Sequence, residues 1–169
     1  NLPVPDMGKV VGLIGRNGIG KSTALNILSG GIIPNMGDLD TEASWAGMIE
    51  KFRSSESRKF FEKLSEASLK VSVKPQGIDS LPKLFKGKAE KLLKKVDEQD
   101  LLKKYAKLLG IENILQREIQ ALSGGELQKV AICAAFLKNA DFYFIDEPSS
   151  YLDIRERLRI AAFIRNIAE

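Results

Sequence analysis

The chain of 169 residues holds one Cys, Cys133, and no His, with 44% hydrophobic and 28% charged side chains. These counts exclude Ser-His-Asp and Cys-His nucleophilic centres, imidazole acid–base chemistry, His-ligated zinc, internal disulfides and Cys-ligated clusters within the sequence. Catalysis is left to carboxylates, Lys, Arg, hydroxyls and backbone amides, in a length that suits one domain burying about 70% of its unfolded surface.

The net charge of +4 is unevenly placed. Residues 41–107 carry sixteen basic against ten acidic side chains, whereas the stretches on either side are balanced or slightly acidic. Such a local excess is either an electrostatic footprint for a polyanion or the solvated face of amphipathic helices. No window approaches the ~18–20 consecutive apolar residues of a membrane span, and the start lacks a basic segment followed by an apolar one. A cytoplasmic location without a membrane partner is the expectation.

Taken in chain order, Lys9 to Gly15 (KVVGLIG) reads as a short buried parallel strand, and a helix is predicted from Lys21 to Leu28, stopped by Gly30-Gly31. In SWAGMIEKF, Trp45, Met48, Ile49 and Phe52 recur at helical spacing behind Ser44 as N-cap. After a polar break, RSSESRK, a second amphipathic helix groups Phe60, Phe61 and Leu64. Leu69 to Val73 alternates like a strand that Pro75 ends. Leu81 to Gly110 is Lys/Leu-rich and helical by period, with Gly110 as C-cap. Gly124 to Leu137 reads as a buried helix, making Cys133 a core thiol. Phe142 to Ile145 is an apolar strand, and Asp153 to Ala168 a terminal amphipathic helix. Strands separated by helices predict an α/β fold with a parallel sheet.

Three segments carry chemistry. GRNGIGKS, Gly15 to Ser22, matches G-x-x-x-x-G-K-[ST] between a strand and a helix. Its glycines let backbone amides turn inward on phosphate, the helix N-terminus adds partial positive charge, Lys21 reaches phosphate oxygens, and the Ser22 hydroxyl suits Mg2+. Asn17, Gly18, Ile19, Gly20, Lys21, Ser22 and Thr23 form the expected cradle. FYFIDEP delivers Asp146 to the end of a strand, where it can hold Mg2+ through water, with Glu147 beside it as base or orienter of a water. LSGGELQ places Ser123, Gly124, Gly125 and Glu126 at a second helix start. One nucleotide does not need two phosphate cradles, so the second is expected to serve a nucleotide held by a partner domain.

In these segments the chain resembles the ATP-binding cassette (ABC) superfamily. Walker A, Q-loop, signature and Walker B motifs correspond to GRNGIGKS, Gln76, LSGGE and FYFIDE, and SSYLD resembles the D-loop. The resemblance implies a P-loop NTPase fold, ATP and Mg2+ as cofactors, and a head-to-tail pairing with a second ABC nucleotide-binding domain. By the same resemblance Gln76 senses Mg2+ and the γ-phosphate, and Ser150 and Asp153 belong to the loop that communicates across the pair. NGIGKSTALNIL, VKPQ and DEPSSYLD are similar to the first nucleotide domain of ABC subfamily E, the RNase L inhibitor family of ribosome-recycling ATPases. That family carries a helix-loop-helix insertion implied to touch small-subunit ribosomal RNA, here about 44–68. Arg53, Ser55, Arg58 and Lys59, with Ser54 and Ser57, are its candidate contacts to phosphate and sugar oxygens.

The expected organisation is an ATP-binding core over 1–76 and 129–169 flanking a helical subdomain over 77–128. Three features depart from the subfamily: no Cys-rich sequence for iron-sulfur clusters, no aromatic in Asn1 to Asp6 to stack on adenine, and no room for a second nucleotide domain. The family's switch His belongs on a strand after the last predicted helix. The chain is therefore expected to be a piece of a longer recycling factor, weakly active or inactive alone, with Glu147 as its candidate base. An ABC transporter ATPase and a non-catalytic ribosome-binding fragment stand as rival readings.

Overall fold

A computed structural model describes residues 2–4, 8–37, 40, 42–52 and 55–168, with only the backbone of Ser55. Its centre is a two-stranded parallel sheet of β1 (Val71–Lys74) and β2 (Phe142–Ile145), in register Val71 to Phe142 through Lys74 to Ile145. One face of the sheet meets the 14-residue helix α7 (Gly124–Leu137), where Ser72 Oγ donates to the Ala135 carbonyl at 2.7 Å. Buried on nearly all sides, α7 carries Val130, Ile132, Cys133 and Leu137 at no measurable exposure.

The N-terminal third adds α1 (Lys21–Leu28), α2 (Trp45–Lys51) and α3 (Ser55–Ser65). Ser44 caps α2 as its sequence position predicts, its Oγ accepting from Gly47 N at 3.2 Å. The apolar faces of α2 and α3 meet through Phe52 stacked on Phe61 (centroids 4.8 Å apart) and Phe60 set edge-on to Phe61 and to Phe142 of β2. The helix-loop-helix is thus anchored to the sheet by its aromatic side, with Leu28 and Met48 in the same cluster.

Beyond β1 the chain is helical: α4 (Leu81–Leu84), α5 (Ala89–Val96), α6 (Leu102–Leu109), two short 3-10 turns, then α7; α8 (Ile154–Ala168) follows β2. The predicted run from Leu81 to Gly110 is broken twice. Gly87 at φ 131 separates α4 from α5, and the Asp97 carboxylate accepts from the amides of Leu101 and Leu102, starting α6 afresh. Gly110, at φ 63, ends α6 as expected. Leu93, Tyr105, Leu109, Ile119, Phe136, Ile160 and Phe163 join these helices into one apolar cluster.

One predicted strand is absent. Lys9 to Gly15 forms no ladder, and Ile14 is fully exposed. A strand needs a hydrogen-bonded neighbour, and between this segment and β2 lies a cleft of about 560 Å3, lined by Val10 and Leu13 on one side and Phe142 and Phe144 on the other. Apolar, β-rich composition therefore does not make Lys9 to Gly15 a strand here. The other boundary shift lies in the polar break: α3 begins at Ser55, so Ser55, Arg58 and Lys59 belong to a helix rather than to a loop. Arg53 and Ser54 lie outside the described residues. Among the described residues no helix is long and apolar enough to cross a membrane.

Candidate active site

The phosphate loop is built on glycine conformations. Gly18 (φ 80) and Gly20 (φ 98) occupy the left-handed region, which lets the chain turn sharply into α1. Gly20 is the N-cap and places no side chain over the first amides of α1. Lys21 folds back over the loop, its ammonium donating to the carbonyls of Gly15 (2.8 Å) and Arg16 (2.9 Å). Open helix amides beside a long-stemmed cation suit a polyphosphate, so the residues of the loop fit the phosphates of ATP. Lys21, Asp146 and Glu147 all line the same cleft.

The carboxylate end of β2 is held far more tightly. Glu147 sits at φ 46, a left-handed angle costing on the order of 1–3 kcal/mol for a non-glycine residue. Its Oε1 accepts from Gln76 Nε2 at 3.0 Å and its Oε2 from Ser150 Oγ at 2.9 Å. Its main-chain carbonyl accepts from Gln128 Nε2 at 2.7 Å, and that of Asp146 from Lys74 Nζ at 2.8 Å. Burial pushes the Lys74 ammonium down, while the nearby charges of Asp146 and Glu147 pull it back up. Gln128 is wholly buried and its Oε1 finds no partner among the described residues, at a cost of about 1–3 kcal/mol.

Three expected site residues thus meet directly: Gln76 from the end of β1, Glu147 from the end of β2, and Ser150 from the turn after it. Sequence reading missed Lys74 and Gln128. The signals were present: Ser72 and Lys74 are both polar and share the buried side of β1, and Gln128 interrupts an otherwise apolar helix. Among the described residues no cluster of three or more His, Cys, Asp or Glu could hold a metal by itself. The oxygen donors Ser22 and Asp146 suit Mg2+, which takes one or two protein oxygens and completes its shell with phosphate and water.

The second helix start is organised differently from the first. Ser123 Oγ accepts from Glu126 N, and the Glu126 carboxylate accepts from Ser123 N at 2.8 Å, a reciprocal capping box. Burial opposes the charge on Glu126, but the bonds from Ser123 and the Arg117 guanidinium at 2.7 Å hold its carboxyl below the usual range. The box occupies the amides of Ser123 and Glu126, and Gly124 and Gly125 stand between them in the first turn of α7. Tyr151 packs close over both glycines: a Cβ on Gly124 would meet its ring at 3.1 Å and one on Gly125 its carbonyl at 3.0 Å, tight contacts to which the ring or backbone would have to yield. Asp153 caps α8 by accepting from Glu156 N at 2.9 Å. The turn Ser123–Glu126 is not among the residues lining the cleft that holds Lys21 and Glu147.

Of the candidate RNA contacts, Arg58 and Lys59 are exposed on α3, while Ser57 is buried. Arg58 pairs with Glu62 one turn on, at 3.1 Å, so part of its charge is already compensated. Burial pushes the Cys133 thiol up to about 12, in keeping with an inert core position.

Several known proteins share this sequence and geometry. The chain is 52% identical over 166 residues to an ABC transporter ATP-binding protein of Methanocaldococcus jannaschii, and 45% identical over 171 residues to translation initiation factor RLI1 of Saccharomyces cerevisiae. Each alignment covers 98% of this chain and 28% of the relative, so the chain spans under a third of these proteins' length. A crystal structure of an archaeal ribosome recycling factor, aABCE1, in complex with ribosomal stalk protein aP1 matches over 99% of this chain and 32% of its own, at 56% identity and a TM-score of 0.92. Residues 5–150, from before the phosphate loop to the turn after β2, match the family model described as ABC transporter, and the chain belongs to that family.

Proposed function

We propose that the chain is an ATP-binding and ATP-hydrolysing ABC domain of a ribosome-recycling factor, with Glu147 as the group that takes a proton from the attacking water. The observation that carries this reading is Glu147, strained in its backbone and doubly hydrogen-bonded at its carboxylate, lining one cleft together with Lys21. Lys21 leaves the carbonyls of Gly15 and Arg16 for phosphate oxygens, and the amides of α1 hold the same group from the other side. Ser22, Asp146 and Gln76 would hold Mg2+, which would supply charge neutralisation. Gln76, bonded to Glu147, reports on the occupancy of the site through that contact. A carboxylate is the natural base in a chain without His.

The Ser123–Glu126 turn stands outside that cleft, which supports its use by the nucleotide of a second ABC domain, with Ser150 and Asp153 at the joint. Helices α4 to α6, which follow β1, support a helical subdomain over 77–128 between core segments 1–76 and 129–169, with the second boundary falling inside α7. The likeness to a translation initiation factor and a ribosome recycling factor supports a cytoplasmic role on the ribosome. There Arg58 and Lys59 of α3 contact small-subunit RNA, with Arg53 and Ser55 as further candidates by sequence position.

The test of hydrolysis is Glu147→Gln in the full-length protein, assayed by phosphate release with the matching carboxylate of the second ABC domain also changed to glutamine, so that turnover reports on this site. Loss of a general base lowers kcat by about 10²–10⁴-fold. Turnover that survives the change would assign the chemistry to another group. For the RNA contact, Arg58→Glu with Lys59→Glu should weaken cosedimentation with small subunits and flatten its salt dependence; unchanged, salt-insensitive binding would remove this surface from the interface.

A further inference from the structure

Two buried side chains lie behind the carboxylate pair and belong neither to the phosphate loop nor to the motifs that carry the charges. Lys74 ends β1 on the face that Ser72 also occupies, because residues two apart share a side of a strand. Ser72 reaches the carbonyl of Ala135, which identifies that face as the one α7 covers. Gln128 comes from α7 itself, in the turn after Gly124-Gly125. At 1% and 0% exposure, Lys74 and Gln128 each spend a hydrogen bond on a main-chain carbonyl, at Asp146 (2.8 Å) and Glu147 (2.7 Å).

These are the consecutive carbonyls at the exact point where β2 gives way to the site. Burying an ammonium and a half-satisfied amide is an expensive way to cap a strand, since water or a backbone amide would serve. A left-handed, non-glycine residue persists only where its surroundings over-determine it. Glu147 is such a residue, and the two donors fix the carbonyls of its own residue and of the one before it. Freed from them, the backbone can relax toward a less strained angle and swing the carboxylate away from the cleft.

Resting on the reading of Glu147 as the hydrolytic carboxylate, we propose that Lys74 and Gln128 are positioning residues for ATP hydrolysis, clamping the Asp146–Glu147 backbone so that the base keeps its aim. Neither touches nucleotide. Their role separates rate from affinity, because the phosphate loop that binds ATP is elsewhere in the chain.

The experiment uses the full-length protein with the matching carboxylate of its second ABC domain changed to glutamine, so that phosphate release gives the kcat of this site, a fluorescent ATP analogue the Kd and thermal denaturation the fold. Lys74→Met and Gln128→Met remove the donors at similar volume and lower kcat on the order of 10–100-fold, with Kd within about twofold of wild type. Lys74→Arg keeps a charged N–H donor of at least equal reach and recovers rate relative to Lys74→Met. Gln128→Asn, shorter by one methylene, withdraws its donor without introducing an apolar group and lowers kcat as well, which gives a readout should a methionine variant fail to fold. Wild-type kcat in Gln128→Asn, equal rates in Lys74→Arg and Lys74→Met, or a Kd that weakens in step with kcat overturns the clamp. Glu147→Gln runs beside them. If it still hydrolyses ATP, the reading of the site fails; if it is inactive while the clamp variants turn over normally, only this inference fails.

Discussion

The phosphate loop and the carboxylate corner face each other across one cleft and are built in opposite ways. Gly15 to Ser22 is mostly exposed, belongs to no sheet, and is closed chiefly by Lys21 bonding to carbonyls of its own loop. Asp146 and Glu147 are held by side chains from three other segments, Lys74 and Gln76 at the end of β1, Gln128 on α7 and Ser150 after β2. A loop that binds through backbone amides gains its order from the ligand, whereas a carboxylate that must aim at a water is best oriented before the ligand arrives. On the proposed roles, the half that binds phosphate is left loose and the half that carries the chemistry is preorganised.

The sharpest way to break this comparison is amide hydrogen exchange with and without Mg-ATP in the full-length protein. At ligand near 100 times Kd the loop amides from Gly15 to Ser22 should gain protection of up to about 100-fold, since local opening there competes with binding. The amides of Phe142 to Ile145, already laddered to β1, should change little. Equal gains in both regions would show that the corner also waits for nucleotide. A smaller effect is expected from Lys21→Met, which removes a charged donor and should weaken ATP binding roughly 10–100-fold while leaving the melting temperature of the nucleotide-free protein unmoved. Smaller again is Ser150→Ala: one of the two bonds to the Glu147 carboxylate is lost, and kcat should fall about fivefold with Kd unchanged. A larger loss would make Ser150 a principal orienter rather than one of several.

Much of the fold is local in origin and was legible. The spans Lys21–Leu28, Gly124–Leu137 and Phe142–Ile145 follow directly from periodicity and from their glycine and serine boundaries. Ser44 and Gly110 work as caps because capping depends on a few neighbouring residues. Lys9 to Gly15 reads as a strand for the same local reasons and is not one, because strand formation depends on a partner that sequence proximity does not supply. The break at Asp97 was hidden in a helical period, since its effect depends on how its carboxylate turns back onto the amides of Leu101 and Leu102. Likewise, Ser57 counts as an exposed hydroxyl by composition and as a buried one once α3 packs.

For the site the same division holds. Motif spacing by itself determined the phosphate loop, the Asp146–Glu147 pair and the Ser123–Glu126 turn, because backbone conformation and helix N-termini are set within a few residues of chain. Only the tertiary structure decided that Gln76 and Ser150 share the Glu147 carboxylate, that Tyr151 lies over Gly124, and that Lys74 and Gln128 stand behind the pair. Those contacts join residues as far as 72 positions apart. Buried donors find their acceptors through the packing of β1, β2 and α7, and packing at that range is not written in any local run of residues.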